Sequence, residues 1–480
     1  MKVLFRVAFA VFALAVIVAL VVMPPRLSGD GHEYLYMMEA LARHGSPDLR
    51  DSDKAAVVGV LDPQHPERLQ MERHNYPGFP VARRDGKLYA LHFFAYSLSA
   101  VPARFALDAV GVSPRAALQV TNGLWLLAGL FVALFLSRRP LAERLTFAAL
   151  AGVSPVAWYL TFSGTEVYSW SLAMMGLVAL GDRRYILSGL LFGASALQNP
   201  SILLLGGAAA GSAVLAGHWW RGIAAAAVSA IGLVPMAFCQ YLYGQPSLIA
   251  EGYTDWRLIG GDRTLGLFTC LNQGLLPYMP VLLLAFAAGL VRAVGRRAAP
   301  ELLVAAALCG MLVSVQVQKN WNSDGCGMMR YLVWMLPAFA WVASAGIGRG
   351  WWVVLPAAIV VQGSILALDP PTTEGYTAHR PVAAWVLAHY PRLYTPDPEI
   401  FVERGVSPVP RERDGDFVLP AGFATADGVV TKLLADRHSR DRLPHVYIVS
   451  PDYLSELFAA ADSDWPVYIH PPPGTVLVRP

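Results

Sequence analysis

Asp30 and Glu33 stand three residues apart in Ser28-Gly-Asp30-Gly-His32-Glu33, just after an apolar run and ahead of Tyr34, Met38 and Leu41 at helical spacing. The pair supports two compatible readings. In one it is a capping box, with Asp30 as N-cap and Glu33 reaching back to it. In the other, Asp30 is held at the helix start yet stays exposed, and serves as a general base toward an acceptor hydroxyl. Ser163-Gly-Thr-Glu166 repeats the capping pattern. Its functional alternative is a second carboxylate opposite Asp30, orienting an acceptor or a divalent cation. His32 and His92 are suited to assist, since imidazole titrates near neutral pH. No H-x-x-x-H or H-E-x-x-H spacing accompanies them, so no zinc site is expected. A polar, glycine-bearing loop from Trp321 ends in Arg330 and Tyr331 at the mouth of an apolar run. Those residues fit an interfacial belt, or phosphate capture by the planar fork of Arg330, with Lys319 as a second positive charge.

The elements that must position these residues are membrane spans. Of the 480 residues 55% are hydrophobic and only 15% charged, well below the roughly 25% charged of an average soluble chain. The first apolar run covers residues 3–23 and reads as a span; a cleaved signal peptide is the rival reading, disfavoured by the length of the run and the lack of an A-x-A cleavage site before Pro24. Further runs at 116–136, 145–162, 166–181, 186–198, 200–217, 222–242, 275–292, 300–317, 331–347 and 351–368 bring the expected total to about eleven. Short-loop charges then sort to one side. Arg138, Arg139, Arg144, Arg183, Arg184, Arg221, Arg292, Arg296, Arg297 and Arg349 fall on the cytoplasmic side. Only Arg257, Arg263, Lys319 and Arg330 fall opposite.

This topology requires that residues 88–110, with Pro102 and Arg104, lie at the outer interface instead of crossing. The pair 186–198 and 200–217, meeting at Gln198-Asn199-Pro200, is either two spans or one broken helix. The expected organisation is a membrane domain over 1–368, with an outer loop at 24–115 carrying interfacial helices. A small outer α/β domain over 369–480 follows, with a strand at His445–Ser450 and a helix at Pro451–Ala460.

Other classes are excluded. A net charge of +3 without a basic stripe gives no nucleic-acid footprint. No Walker loop, G-x-S-x-G or dinucleotide fingerprint occurs, so no nucleotide cofactor is expected. Cys239 and Cys309 read as small core residues, and spacing alone leaves a Cys270–Cys326 disulfide open.

The sequence resembles the GT-C fold glycosyltransferases, the multispan enzymes that include aminoarabinose transferases and protein mannosyltransferases. Three segments carry the likeness. Asp30 to Gly45 has the form D-x-x-E-Y-x-x-x-x-E-A-L-x-x-x-G, Gly274-Leu-Leu-Pro-Tyr-Met-Pro280 is similar to G-L-x-x-x-x-P, and Gly327-Met-Met-Arg330-Tyr331-Leu332 with Pro337 is similar to G-P-R-Y-L-x-x-x-x-P. Two departures, a Met for the usual Pro and a single Asp30 where many members show paired acids, leave metal dependence open.

The resemblance implies a GT-C-like helical membrane fold with outer juxtamembrane helices, in an inner membrane, with the N-terminus cytoplasmic and the C-terminal domain periplasmic. The donor would be a polyprenyl-phosphate sugar and the acceptor a hydroxyl of a glycan, lipid or protein. Asp30 would match the catalytic base and Glu166 a second site carboxylate. Arg330, with Lys319, Arg263 or Lys87, would stabilise the leaving phosphate. Glu33, His32, His92 and Tyr331 complete the substrate-binding set. The alternative from a different class is a transporter or flippase for a lipid-linked substrate. It would want midplane charges and an internal repeat, and neither is visible.

Overall fold

Apolar runs rich in Leu, Ala and Val satisfy their backbone groups internally, as a lipid-exposed chain must, and they fold as helices. A computed structural model describes residues 2–26, 30–61, 81–82, 86–322, 327–347, 350–369, 377–405, 419–439, 442–443, 447–448, 451–471 and 475–477. Among the described residues five helices are long and apolar enough to cross a bilayer: Pro114–Leu136, Trp219–Tyr243, Ala299–Gln316, Arg330–Ile347 and Trp351–Leu368. Shorter apolar helices cover Phe9–Val22, Tyr185–Ala196 and Pro200–Leu215. The chain is thus a helical, membrane-embedded protein. Trp219–Tyr243 and Trp351–Leu368 turn Ile223, Val234, Trp352, Val360 and Leu368 outward, an apolar surface that suits lipid and not water.

Two expected spans are corrected. The run 145–162 is not one helix: Leu141–Gly152 stops, and a tight 3-10 turn follows at Pro155–Leu160. Proline removes a backbone donor and forces its predecessor out of the helical region, and Ser154 is accordingly extended at φ −153°. The run 275–292 begins as a short turn at Leu275–Tyr278, and its helix is Pro280–Arg296. The 186–217 region forms two separate helices, Tyr185–Ala196 and Leu203–Leu215, the latter preceded by a 3-10 turn at Pro200–Ile202. At 1.5 Å per residue the first of these is roughly 18 Å long, short of a bilayer core.

The chain divides into two compact units. The first comprises residues 1–254, 278–315 and 330–369. At its centre Glu166–Gly181 and Leu336–Ile347 are buried along almost their whole length. Leu336–Ile347 meets Pro280–Arg296 at a contact only glycine allows. A Cβ on Gly346 would lie 2.2 Å from the Gly289 Cα, and one on Gly289 would lie 2.5 Å from the Val342 carbonyl. On one side Gly31–His44 packs against Ala95–Ala109. The latter is the segment expected at the interface. Its 15 residues reach roughly 22 Å, and it buries Tyr96, Ser97, Ala100, Ala103 and Leu107 while exposing Leu98 and Phe105.

The second unit comprises residues 255–277, 316–329 and 370–480, so two inter-helix loops belong with the C-terminal segment. It holds an antiparallel sheet in the order Ala421–Ala424, Val430–Ala435, Val467–Ile469. Tyr447–Ile448 pairs with Val476–Leu477, within the strand expected at 445–450, and the expected helix Pro451–Ala460 is present. Val430, Leu433, Leu443, Leu457 and Ile469 form its core.

Candidate active site

Two polar residues inside the Pro114–Leu136 helix fix where the chain leaves the first helix. Gln119 donates through Nε2 to the carbonyls of Leu20 and Met23, holding the end of the first helix. Asn122, fully buried, donates to the carbonyls of Tyr159 at 3.0 Å and Phe162 at 2.8 Å. They stand three residues apart, hence on one face. The chain leaving the first helix then joins the turn that Asn122 holds. Arg26 donates to the Thr161 carbonyl at 2.8 Å and accepts from Ser163 at 3.1 Å. The C-terminal end of the first helix is thereby tied to the segment that leads into Glu166.

Gly31–His44 is held against Ala95–Ala109 by polar contacts as well as packing. Arg104 forks onto Glu39, Nε to Oε1 at 3.0 Å and an amino group to Oε2 at 3.3 Å, and Ser97 donates to the Tyr34 carbonyl at 2.9 Å. This brings the turn before Ala95 onto the first turn of the other helix. The His92 backbone N–H donates to Glu33 Oε1 at 2.7 Å, and His92 Nδ1 lies 2.6 Å from Glu33 Oε2. On the other ring edge Nε2 is 3.3 Å from Asp30 Oδ2. The Tyr34 ring packs 5.5 Å away.

Arg330 enters from 300 residues further along the chain and donates to the same Asp30 Oδ2 at 2.9 Å. Its Nε is 4.0 Å from Glu166 Oε1, and its guanidinium lies 5.3 Å from the centre of the Tyr331 ring. Four groups therefore alternate in sign, Glu33, His92, Asp30 and Arg330, and the buried carboxyl of Glu166 lies beyond them. Side-chain exposure runs from 23% at Asp30 through 17% at His92 and 12% at Arg330 to 7% at Glu33 and 2% at Glu166. Asp30, His92 and Arg330 are the reachable members. Glu166 Oε2 has no hydrogen-bond partner among the described residues, and a Cβ on Gly164 would sit 2.2 Å from it. Only glycine leaves room for that carboxylate.

The charges tune one another. Burial disfavours a charged His92, but Asp30 and Glu33 outweigh it and lift its pKa to about 9, so it is an imidazolium at neutral pH. Burial alone raises the Asp30 pKa, but His92 and Arg330 pull it below the ordinary aspartate value. Among the described residues no group of three or more His, Cys, Asp and Glu side chains is placed to hold a metal ion. The carboxylates that a divalent cation would need already face His92 and Arg330.

Both capping boxes are corrected. Asp30 precedes its helix without a side-chain cap hydrogen bond, and the second helix begins at Glu166 itself, so Ser163 stands outside it and caps nothing among the described residues. Asp30 faces Arg330 and His92 instead, and Glu33 faces His92, because two cations offer stronger partners than a backbone N–H.

Of the other expected site residues, His32 is half-buried in the first turn of its helix. Lys87 is exposed, and its charge acts on Asp48. Arg263 and Lys319 belong to the second unit. There Lys319 is exposed. Arg263 binds Asp397 at 3.0 Å and the carbonyls of Gln316 and Gln318, and lies 4.4 Å from the centre of the Trp321 ring. Cys270 is a free thiol 3.2 Å from the Tyr394 hydroxyl, and Cys326 lies outside the described residues.

Gln119, Asn122, Arg26 and Glu39 position the site and were not singled out from sequence. A lone Gln and Asn at one-turn spacing in an apolar run was the available signal, since such groups are costly in lipid unless partnered. Searches of protein-family models, curated proteins and solved structures find no match to this chain.

Proposed function

We propose that the protein is a membrane glycosyltransferase that moves a sugar from a polyprenyl-phosphate donor to an acceptor hydroxyl at the outer, periplasmic face of an inner membrane. The observation that carries this reading is the pairing of Asp30 with Arg330, beside Glu166 and His92. It gathers a carboxylate able to take a proton and cations able to hold a phosphate, all at helix ends. In the proposed reaction the acceptor oxygen attacks the anomeric carbon and its proton passes to Asp30. The bond from that carbon to the phosphate oxygen breaks, and the electron pair leaves on the phosphate facing Arg330. A single in-line displacement inverts the anomeric configuration. Glu166 holds the far side of Arg330.

The inside N-terminus and the outside second unit belong to this proposal. They rest on the arginine asymmetry of the short loops. The test is turnover of a panel of polyprenyl-phosphate sugars by the purified chain in lipid, with and without a divalent cation. Release of polyprenyl phosphate and an inverted glycoside is expected. Movement of intact lipid-linked substrate across a vesicle bilayer with no bond broken would replace the transferase by a flippase.

A further inference from the structure

We infer that His92, set in place by Glu33, forms with Arg330 a two-cation clamp for the donor's phosphate, and that in the empty site the same cations pin Asp30, releasing it as a base only when the phosphate arrives. The inference rests on the transferase reading above and adds an order of events to it.

The geometry behind it is a competition for one oxygen. Asp30 Oδ2 lies 2.9 Å from the Arg330 guanidinium and 3.3 Å from His92 Nε2. A carboxylate neutralised from two directions holds its charge firmly and takes up a proton poorly. His92 is a cation by hydrogen-bond logic alone. Its two ring nitrogens face two carboxylates, which only accept, so both nitrogens carry protons. The groups facing the ring are Asp30, just before the helix Gly31–His44, and Glu33 and Tyr34 from that helix, with Arg330 and Glu166 beyond Asp30. Glu33 is a positioning residue. One of its oxygens takes the His92 backbone N–H and the other takes the ring, which fixes both the place and the charge of the imidazolium.

A phosphodiester carries one negative charge, the same as the carboxylate it would displace. When it occupies Arg330 and His92 Nε2, Asp30 loses both counter-charges and its affinity for a proton rises. With an acceptor present that proton comes from the attacking hydroxyl. With none it comes from water, so donor binding alone takes up a proton.

Farnesyl methyl phosphate tests this, because it is a lipid phosphodiester with no titration of its own near neutral pH. Its binding to the full chain in lipid nanodiscs is followed by calorimetry at pH 7 in two buffers of different ionisation enthalpy. The expected result is binding with net proton uptake, and with uptake abolished in Asp30→Asn while affinity is kept or improved. Glu33→Gln is expected to weaken binding about tenfold, Glu33→Asp to recover part of that loss, and His92→Gln to match Glu33→Gln. Farnesol, which lacks the phosphate, is expected to show none of these dependences.

Binding without proton uptake overturns the inference, as does wild-type affinity in both Glu33→Gln and His92→Gln, or no binding of the phosphodiester up to millimolar concentration. Sugar transfer that proceeds without uptake removes the clamp and keeps the enzyme. Uptake without transfer of any donor removes the enzyme and keeps an anion clamp.

Discussion

Asp30 shares one oxygen between Arg330 and His92, and that sharing sets the pH behaviour of the site. For His92 the folded pKa is about 9 against roughly 6.5 for a solvated histidine. A raised pKa means that the stabilisation is complete below about 6.5 and is lost as pH rises through about 9. By linkage it is worth on the order of 3 kcal/mol. Thermal stability in lipid is therefore expected to fall between about pH 7 and 10, and His92→Gln to flatten that fall; an unchanged slope in the variant would assign the loss elsewhere. Gly164 gives a second residue-scale prediction. Gly164→Ala puts a methyl carbon against Glu166 Oε2, and turnover is expected to drop about tenfold or more with expression kept. Wild-type turnover would show that Glu166 has room to move. At this scale the sequence marked three carboxylates that the fold gathers, but not the contacts they make. Asp30, Glu33 and Glu166 were visible as acids at helix starts, but the capping pattern is local. The contacts that win over it come from His92, 59 residues on, and from Arg330, 300 residues on.

Helices were legible from apolar periodicity, and their ends were less so. The break at Ser154-Pro155 was misread as continuous because the flanking residues stay apolar, although proline had already removed a helical donor. That break leaves the Tyr159 and Phe162 carbonyls for Asn122 to hold. Asn122→Leu keeps the helix apolar and removes both hydrogen bonds. Membrane side-chain hydrogen bonds are worth about 0.6 kcal/mol on average, so its melting temperature is expected to shift only a few degrees. Turnover is expected to fall much further, because the Arg26 and Glu166 segments lose their common anchor. A large thermal loss with activity falling in proportion would make Asn122 an ordinary stability residue. The Gly289–Gly346 approach predicts the opposite pattern: Gly346→Leu should lower thermal stability sharply, with the remaining folded fraction fully active.

At the scale of the molecule, composition identified a helical membrane protein, and the boundary near residue 369 was visible as a change to polar sequence. The two inter-helix loops that join the C-terminal segment were not visible, because their contacts join residues far apart in sequence. Arg263 reaches Asp397, Asn322 reaches Glu403 and Arg404, and Glu399 accepts from the backbone of Trp321. Truncation after Asp369 is expected to expose residues 255–277 to trypsin at Arg263, whose side chain is only 11% exposed in the full chain; equal cleavage of the truncated and full chains would show that the loops hold themselves. The measurement that bears most directly on the proposed enzyme compares wild type with Asp30→Asn at equal expression and equal melting temperature in lipid. The quantity measured is release of polyprenyl phosphate from a panel of lipid-linked sugars with acceptor present. Release by the wild type and a loss of at least a hundredfold in Asp30→Asn is the predicted result. Equal release by both would return Asp30 to a structural ion pair and contradict its role as the base.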